Sequence, residues 1–529
     1  MTSFTLGTID LVVVAFYAVA IVLLGLWLGR EHDDAEQYFL AGRRMIWPVI
    51  GISLYASNMG STALVGLSGD AYATGISVFN YEWMAAVVLV FFAVFLAPFY
   101  IKSRVYTMPE FLERRYDSRS RYYFSGLTLF GNIVIDTAGH LYAGGLVLKL
   151  IFPDIPLTET IIVLAVLAGI YTIAGGLVAV MYTDVIQTGL LILGTIIVSV
   201  VAFNKIGSWD AVTAVTPPEM LSLVRPLDDP AVPWLGLITG VPLLGFYFWC
   251  TNQFMVQRML SAKDTNNARW GALLAAAMKI PVIFIMVLPG TMARVLYPNL
   301  SNPDMVYPTM MFDMLPVGLR GLILTGLIAA LMSSIDSTLN SASTLVTMDF
   351  VAKFKPQLDR KQLMRVGRIA TAVFMVLAAL WAPQIQNFGS LFKYLQSVLA
   401  YISPPIVAVF LLGLFWKRTT ATGAFTSLIV GFVVSVTLFV GNIMEVTWLP
   451  DLHFLYVAPI LLVFSLVTAI VVSLMGPAPA AEKVEPLTWT PAFFRRETEE
   501  LRALPWWQNY RILSAIVLAA TAVVVIMWW

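Results

Sequence analysis

Ala329–Ser343 reads AALMSSIDSTLNSAS and sits inside an apolar segment that runs from about Val317 to Val351. A membrane-spanning helix needs roughly 20 apolar residues. This one carries serines, a threonine, an asparagine and an aspartate at its centre. Ser333, Asp336, Ser337 and Asn340 fall at i, i+3, i+4 and i+7, so on a helix they share one face. An ionisable group at membrane depth costs roughly 2.5–3.5 kcal/mol on insertion scales. Hydroxyls and carboxylates are the oxygen ligands that hard cations prefer. Two readings follow: a cation site, or serines that pack and hydrogen-bond helices in lipid.

The rest of the chain has the composition of a membrane protein. Of its 529 residues 59% are hydrophobic and 12% charged, and the mean hydropathy is +0.82. A soluble domain is typically about 25% charged. A net charge of +1 suggests no nucleic-acid partner. Three histidines and one cysteine, Cys250, make zinc, iron–sulfur and disulfide frameworks poor readings. The start, MTSFTLGTID, has no basic region of the kind that opens a cleaved signal peptide.

Apolar runs predict an all-α polytopic protein with about 14 transmembrane helices. Lysines and arginines alternate in density between successive loops. One set holds Arg30, Arg43 and Arg44, the cluster from Lys102 to Arg121, Arg258, Lys263 and Arg269, the cluster from Lys353 to Arg368, Lys417 and Arg418, and Lys483 to Arg511. The other holds only Lys149, Lys205, Arg225, Arg294, Arg320 and Lys393. The positive-inside rule then places the rich set in the cytoplasm and both termini on the extracellular or periplasmic side.

Several spans read as broken. The run 46–70 carries Asn58, Gly60, Ser61, Gly66 and Gly69; the run 233–257 carries Pro242 and Gly245; and the run 389–415 carries Pro404 and Pro405 after Ser403. Irregular backbone at membrane depth is tolerated where it lines a protein or water cavity. The first and sixth spans after the opening helix are both interrupted, and each begins a five-helix block. Paired interruptions in two halves point to an inverted-repeat transporter with its site at the midplane. The expected organisation is an extra helix and cytoplasmic loop over 1–45, a first repeat over 46–204, an extracellular loop over 205–232, a second repeat over 233–415, and flanking helices over 416–529. Within the last, the cytoplasmic segment 476–508 offers Thr490 as a cap and Pro491 as the first residue of a short helix.

The ionisable residues inside spans each call for a reason. They include Glu82, Asp136, His140, Asp184, Lys279 and Asp336. Asp184 also fits a helix start near the cytoplasm, His140 a packing residue, and Glu82 an interfacial position. Lys279 lies mid-run beside Pro281, and a buried lysine needs a carboxylate or ligand oxygen. A Glu82–Lys279 pair would supply an acceptor and a donor in one cavity, as a polyhydroxylated solute requires. Aromatics such as Tyr81, Trp249, Phe392 and Tyr394 offer faces to sugar C–H surfaces, although most membrane aromatics belong to interfacial belts. No GxxxxGK[ST] pattern occurs, so active transport would draw on an ion gradient.

Eight stretches together resemble the sodium:solute symporter family, in its sodium/glucose cotransporter branch. They are YFLAGRRMIWPVIG from Tyr38, ASNMGS from Ala56, NYEWM from Asn80, YTMPEFLERRY from Tyr106, AGGLVAVMYTDVIQT from Ala174, FWCTNQFMVQRMLSAK from Phe248, LIAALMSSIDSTLNSASTLVTMDF from Leu327, and ISPPIVAVFLLGLFWKRTTATGAF from Ile402. The resemblance implies a five-plus-five inverted-repeat (LeuT-like) core. It implies a sodium site at Ala56, Met59, Ala330, Ser333 and Ser334. A second cation position in some members matches Asp184, Ser333, Asp336 and Ser337, with Asp336 replacing a hydroxyl residue. It implies solute contacts at Asn58, Glu82, Lys279 and Gln396, with gates at Tyr81, Phe248, Trp249 and Phe392. Departures fall at Ala63, Gly245, Phe248 and Asp136, which leave the particular sugar open.

The reading that follows is a sodium-coupled secondary symporter, not an enzyme, importing a monosaccharide or polyol across a cell membrane. Sodium is its coupling ion, and no cofactor is implied. The rivals are a carboxylate or amino-acid substrate on the same machine, proton coupling through Asp336 or Asp136, and a transporter-like sensor.

Overall fold

The computed structural model describes residues 6–28, 35–388, 391–444 and 452–529. Arg30 and His32 lie outside the described residues. The described chain is helical throughout, with two isolated β-bridges, Met45 to Ala262 and Arg225 to Pro233.

In chain order the helices that frame the site are α1 (Thr8–Leu28), α2 (Trp47–Asn58), α3 (Ser61–Thr74), α4 (Phe79–Phe91), α5 (Ser118–Gly131), α6 (Ala138–Ile151) and α7 (Leu157–Ile206). The second half supplies α8 (Val241–Phe246), α9 (Gln253–Leu260), α10 (Thr265–Lys279), α11 (Leu288–Leu296), α12 (Leu319–Thr344), α13 (Arg360–Trp381), α14 (Leu391–Phe415), α15 (Ala421–Ile443) and α16 (Phe454–Met475). The chain ends with α17 (Pro491–Arg502) and α18 (Tyr510–Met527).

Among the described residues nine helices are long and apolar enough to cross a membrane. The bent pair Thr265–Lys279 and Ile283–Leu296, at 42°, makes a tenth. The expected 14 is not reached on this measure, because breaks divide several spans into shorter helices. Two expected runs, 158–178 and 182–204, form one helix, α7. The residues expected to join them, Ala179–Met181, are apolar, buried and helical, with no proline to stop the ladder.

The first break falls where the sequence placed it. α2 begins with Pro48 in its first turn and ends at Asn58; Met59 leaves helical geometry (φ −85°, ψ 42°), Gly60 is extended, and α3 restarts at Ser61. The second half is broken too, but at Asn252 and not at Pro242 or Gly245. Pro242 sits in the first turn of α8, where its missing N–H is no loss. Asn252 is extended (φ −66°, ψ 128°) and its side chain accepts from Phe254 N at 3.4 Å, capping α9. Pro404 and Pro405 do not interrupt α14.

α12 is the hub. Its N-terminus is held by the buried Asp10 of α1, whose Oδ1 accepts from Gly318 N at 2.6 Å and Gly321 N at 2.7 Å. A carboxylate there suits the positive end of the helix. A Cβ at Gly321 would press on the Asp10 backbone, which is why the two helices meet so closely. The buried apolar side chains form two large clusters, and Tyr81, Trp83, Leu395 and Val398 pack against both. A cavity opens beside this seam.

Candidate functional site

The polar stripe of α12 divides among three neighbours. Ser334 faces the break between α2 and α3. Its Oγ donates to Ala330 O at 3.0 Å, and a Cβ on Gly60 would overlap that oxygen. Glycine at position 60 is therefore what lets the break approach α12. At the break, Met59 N–H returns to Tyr55 O, while Ala63 and Leu64 N–H both return to Gly60 O. Gly60, with Ala56 and Met59 just before it, faces the Ser334 hydroxyl and the Ala330 carbonyl of α12. Ala56, Met59, Ala330 and Ser334 are buried. Such an oxygen-only wall fits a hard monovalent cation.

Ser333 and Ser337 turn instead to a buried charge cluster. Asp184 of α7 accepts from Ser53 Oγ and Ser333 Oγ. It also pairs with Arg258 Nη2 at 3.4 Å, both side chains being almost wholly buried. Arg258 donates through Nε to Ser53 Oγ at 2.8 Å, through Nη1 to Phe254 O at 2.5 Å, and through Nη2 to Ser337 Oγ. Asp336, fully buried, lies within electrostatic range of this guanidinium. Arg258 thus bonds two of the four residues expected for a second cation. Sequence reasoning counted it as a cytoplasmic loop charge. The signal that could have found it is its setting in QFMVQRML, where Gln253 and Gln257 are as buried as the apolar residues between them.

Thr338 and Ser341 meet the opposite neighbour. Thr137 Oγ1 and Thr338 Oγ1 lie 2.8 Å apart, and Asn132 Nδ2 donates to Ser341 Oγ at 3.0 Å. These contacts seat the wide (π) turn Asn132–Thr137 between α5 and α6. Here the packing role of a polar stripe holds. Such turns are frequent at functional sites, and this one carries Asp136.

The residues expected to contact a solute converge. Lys279 Nζ donates to Glu82 Oε2 at 2.6 Å and to Asn58 Oδ1. It lies 5.1 Å from the centroid of the Trp249 ring. Asn58, Glu82 and Gln396 line one cavity, with Lys279 fully buried behind Asn58 and Glu82. The cavity is small, about 110 Å³, below the usual range for drug-sized ligands. All four expected gate residues line it. Tyr81 and Phe392 meet edge to face at 5.1 Å on one flank, and Phe248 meets Trp249 at 5.2 Å on the other. The departures Ala63, Gly245 and Asp136 face the same space, as does His140.

Charges expected in cytoplasmic loops are partly buried clamps. Arg115 donates to the carbonyls of Gly413, Thr419 and Trp416 at the end of α14. Arg121 pairs with Asp349 at 2.7 Å. Thr490 caps α17, accepting from Phe493 N at 3.3 Å. That helix is packed on the body and not a free linker. Its Glu497 pairs with Arg269 at 2.5 Å and Arg511 at 2.8 Å. Burial alone would raise the Glu497 carboxyl, but Arg269, Tyr510 and Arg511 hold it below its ordinary value.

Comparisons with known proteins give the family and the fold. The sodium:solute symporter family profile matches residues 38–431. A sodium/glucose cotransporter 4 of Danio rerio is 37% identical, covering 95% of this chain and 84% of that protein. A sodium/myo-inositol cotransporter 2 of Homo sapiens is 35% identical over 91% of this chain and 78% of its own length. The solved structure of a Na+-coupled sialic acid symporter, substrate-bound and outward-open, superposes with a TM-score of 0.77 at 24% identity, over 89% of this chain and 99% of that one. That likeness shows the fold: an all-helical, multi-pass membrane protein with a LeuT-like inverted-repeat core. The chain belongs to the sodium:solute symporter family.

Proposed function

We propose that this protein is a sodium-coupled symporter that imports a monosaccharide or polyol by alternating access. The observation that carries the reading is the meeting of the α2–α3 break with Ser334 and Ala330, one turn from a cavity holding Asn58, Glu82 and Gln396. Sodium takes the carbonyls of Ala56, Met59 and Ala330 and the hydroxyl of Ser334, and the Ser333 hydroxyl joins them on leaving Asp184. Binding there pins the broken helix to α12, and Asn58 on that helix is thereby presented to the solute. Each ligand then raises the affinity for the other, because the coupling is reciprocal. Glu82 and Asn58, held by Lys279, offer the donors and acceptors that sugar hydroxyls pair with. The names of the similar glucose and myo-inositol cotransporters support this solute class.

Tyr81 with Phe392 closes one flank, and Phe248 with Trp249 the other; opening them in turn exposes the solute to either side. The alternation of basic loops supports placing both termini outside the cell. A second cation at Asp184, Ser333, Asp336 and Ser337 has to share those ligands with Arg258. The test is uptake of a labelled panel of sugars, polyols, carboxylates and amino acids into proteoliposomes under an inward sodium gradient. The reading expects concentrative uptake of one or more sugars or polyols. Accumulation of carboxylates or amino acids alone would contradict it.

A further inference from the structure

A groove between α5, α13, α14 and α15 is larger than the cavity that holds Asn58 and Glu82, about 740 Å³ against about 110 Å³. That size is within the usual range for small-molecule sites. The membrane-spanning stretches of α13 and α15 are only 28% and 33% buried, so the groove opens to lipid. Its walls are flat rings, among them Phe130, Trp381, Tyr401, Phe432 and Phe439. Gly126 lines it as well, and a Cβ there would meet nothing within 4 Å.

Two hydroxyls interrupt the apolar lining. Ser435 is 1% exposed, and its Oγ has no hydrogen-bond partner among the described residues. The Tyr123 hydroxyl is buried and likewise unpaired among them. Hydroxyls in helices commonly return to the carbonyl four residues back, as Thr437 does to Val433 O at 2.8 Å on the same helix. Ser435 does not. Tyr123 meets Phe432 edge to face at 6.1 Å, and Phe432 lies one turn from Ser435, so both hydroxyls serve one stretch of the groove.

Buried polar groups in folded proteins are nearly always paired. An acyl chain brings neither donor nor acceptor to these two. A rigid ring system lies flat on aromatic walls and loses little conformational freedom on binding, and one hydroxyl on it would satisfy both. The groove also backs onto the solute cavity. Tyr394 lines the groove; its hydroxyl donates to Val134 O at 3.0 Å and accepts from Trp381 Nε1 at 3.1 Å. Val134 belongs to the wide turn Asn132–Thr137, whose Ile135 and Asp136 line the solute cavity. In sequence Tyr394 stands between Phe392 and Gln396, which line that cavity too.

We propose that this groove binds an uncharged ring lipid with a single hydroxyl, of the sterol class, and that the bound lipid braces the wall shared with the solute cavity. Its hydroxyl pairs with Ser435 and Tyr123, and its rings lie against Phe432, Phe439 and Tyr401.

The experiment titrates radiolabelled cholesterol against the full chain in phosphatidylcholine vesicles, with unlabelled cholesterol or cholestane, the same rings without the hydroxyl, as competitors. Saturable binding is expected, with cholestane about tenfold weaker, the size of one hydrogen bond. Gly126→Leu places a side chain in the open groove and should weaken cholesterol binding at least about tenfold. Its Tm should be unchanged or higher, because leucine favours a helix over glycine. Ser435→Ala combined with Tyr123→Phe should abolish the preference for cholesterol over cholestane. Hydrogen exchange in segment 132–137 should slow when cholesterol is added to the wild type and stay unmoved in Gly126→Leu. Absence of saturable binding, equal binding by Gly126→Leu, or cholestane binding as tightly as cholesterol overturns the site. Saturable binding that leaves exchange in 132–137 unchanged overturns the bracing role.

Discussion

α2 touches each of two buried ion pairs, and they are built differently. At the break, Asn58 meets Lys279, which contacts Glu82 directly at 2.6 Å. One turn and a half earlier, Ser53 meets Asp184 and Arg258, whose own separation is 3.4 Å. The first pair is a direct contact that leaves little room for another cation. The second is bridged by the hydroxyl of Ser53, with Ser333 on Asp184 and Ser337 on Arg258, and a sodium ion also accepts hydroxyls as ligands. A direct pair is a fixed part of the solute wall. A hydroxyl-bridged pair can trade its guanidinium for a mobile cation as the helices shift.

The largest effect should come from breaking the direct pair. Lys279→Met leaves Glu82 buried without its partner, a loss of about 3–5 kcal/mol, seen as a fall in Tm and loss of solute uptake. Added sodium should not restore it. Arg258→Met strips Asp184 of its guanidinium at a similar cost, about 3–5 kcal/mol. Here sodium should recover part of the lost Tm, because an ion can enter among the serines. Equal sodium rescue of both variants would erase the distinction between the pairs.

Ser334→Ala removes one hydroxyl from the sodium wall and should raise the half-activating sodium concentration about tenfold, with expression unchanged. Sodium titration of uptake reads this directly, and an unaltered titration removes Ser334 from the site.

The smallest effect is expected at the cytoplasmic clamp. Glu497 is held below its ordinary pKa in the folded state, so its contribution to stability is full above the unfolded value and lost as pH falls through the folded one. Glu497→Gln should lower Tm at neutral pH, and the two curves should converge below about pH 4. A constant gap across that range would mean the clamp acts through packing alone.

Much of this was legible in the chain. Hydropathy gave the class, and the run SNMGS gave the first break, because glycine between polar residues cannot be read as an ordinary span. The spacing of Ser333, Asp336 and Ser337 gave one face of α12. Spacing alone could not divide that stripe among three neighbours, since this depends on which helices lie beside it. The partners of Arg258 were hidden for the same reason: a basic residue near a helix end reads as a loop charge, and only the fold places Asp184, Ser53 and Ser337 around it. The second break moved from Pro242 and Gly245 to Asn252, because a proline in the first turn of a helix costs nothing. Ala179–Met181 offered no stop signal, and α7 continues through it.

The most direct test of the central claim is uptake into proteoliposomes with an inward gradient of sodium, of choline, or of protons at constant sodium-free salt. Concentrative uptake of a sugar or polyol with sodium alone, abolished when choline replaces it, is the predicted result. Equal accumulation without sodium, driven by the proton gradient, would contradict it.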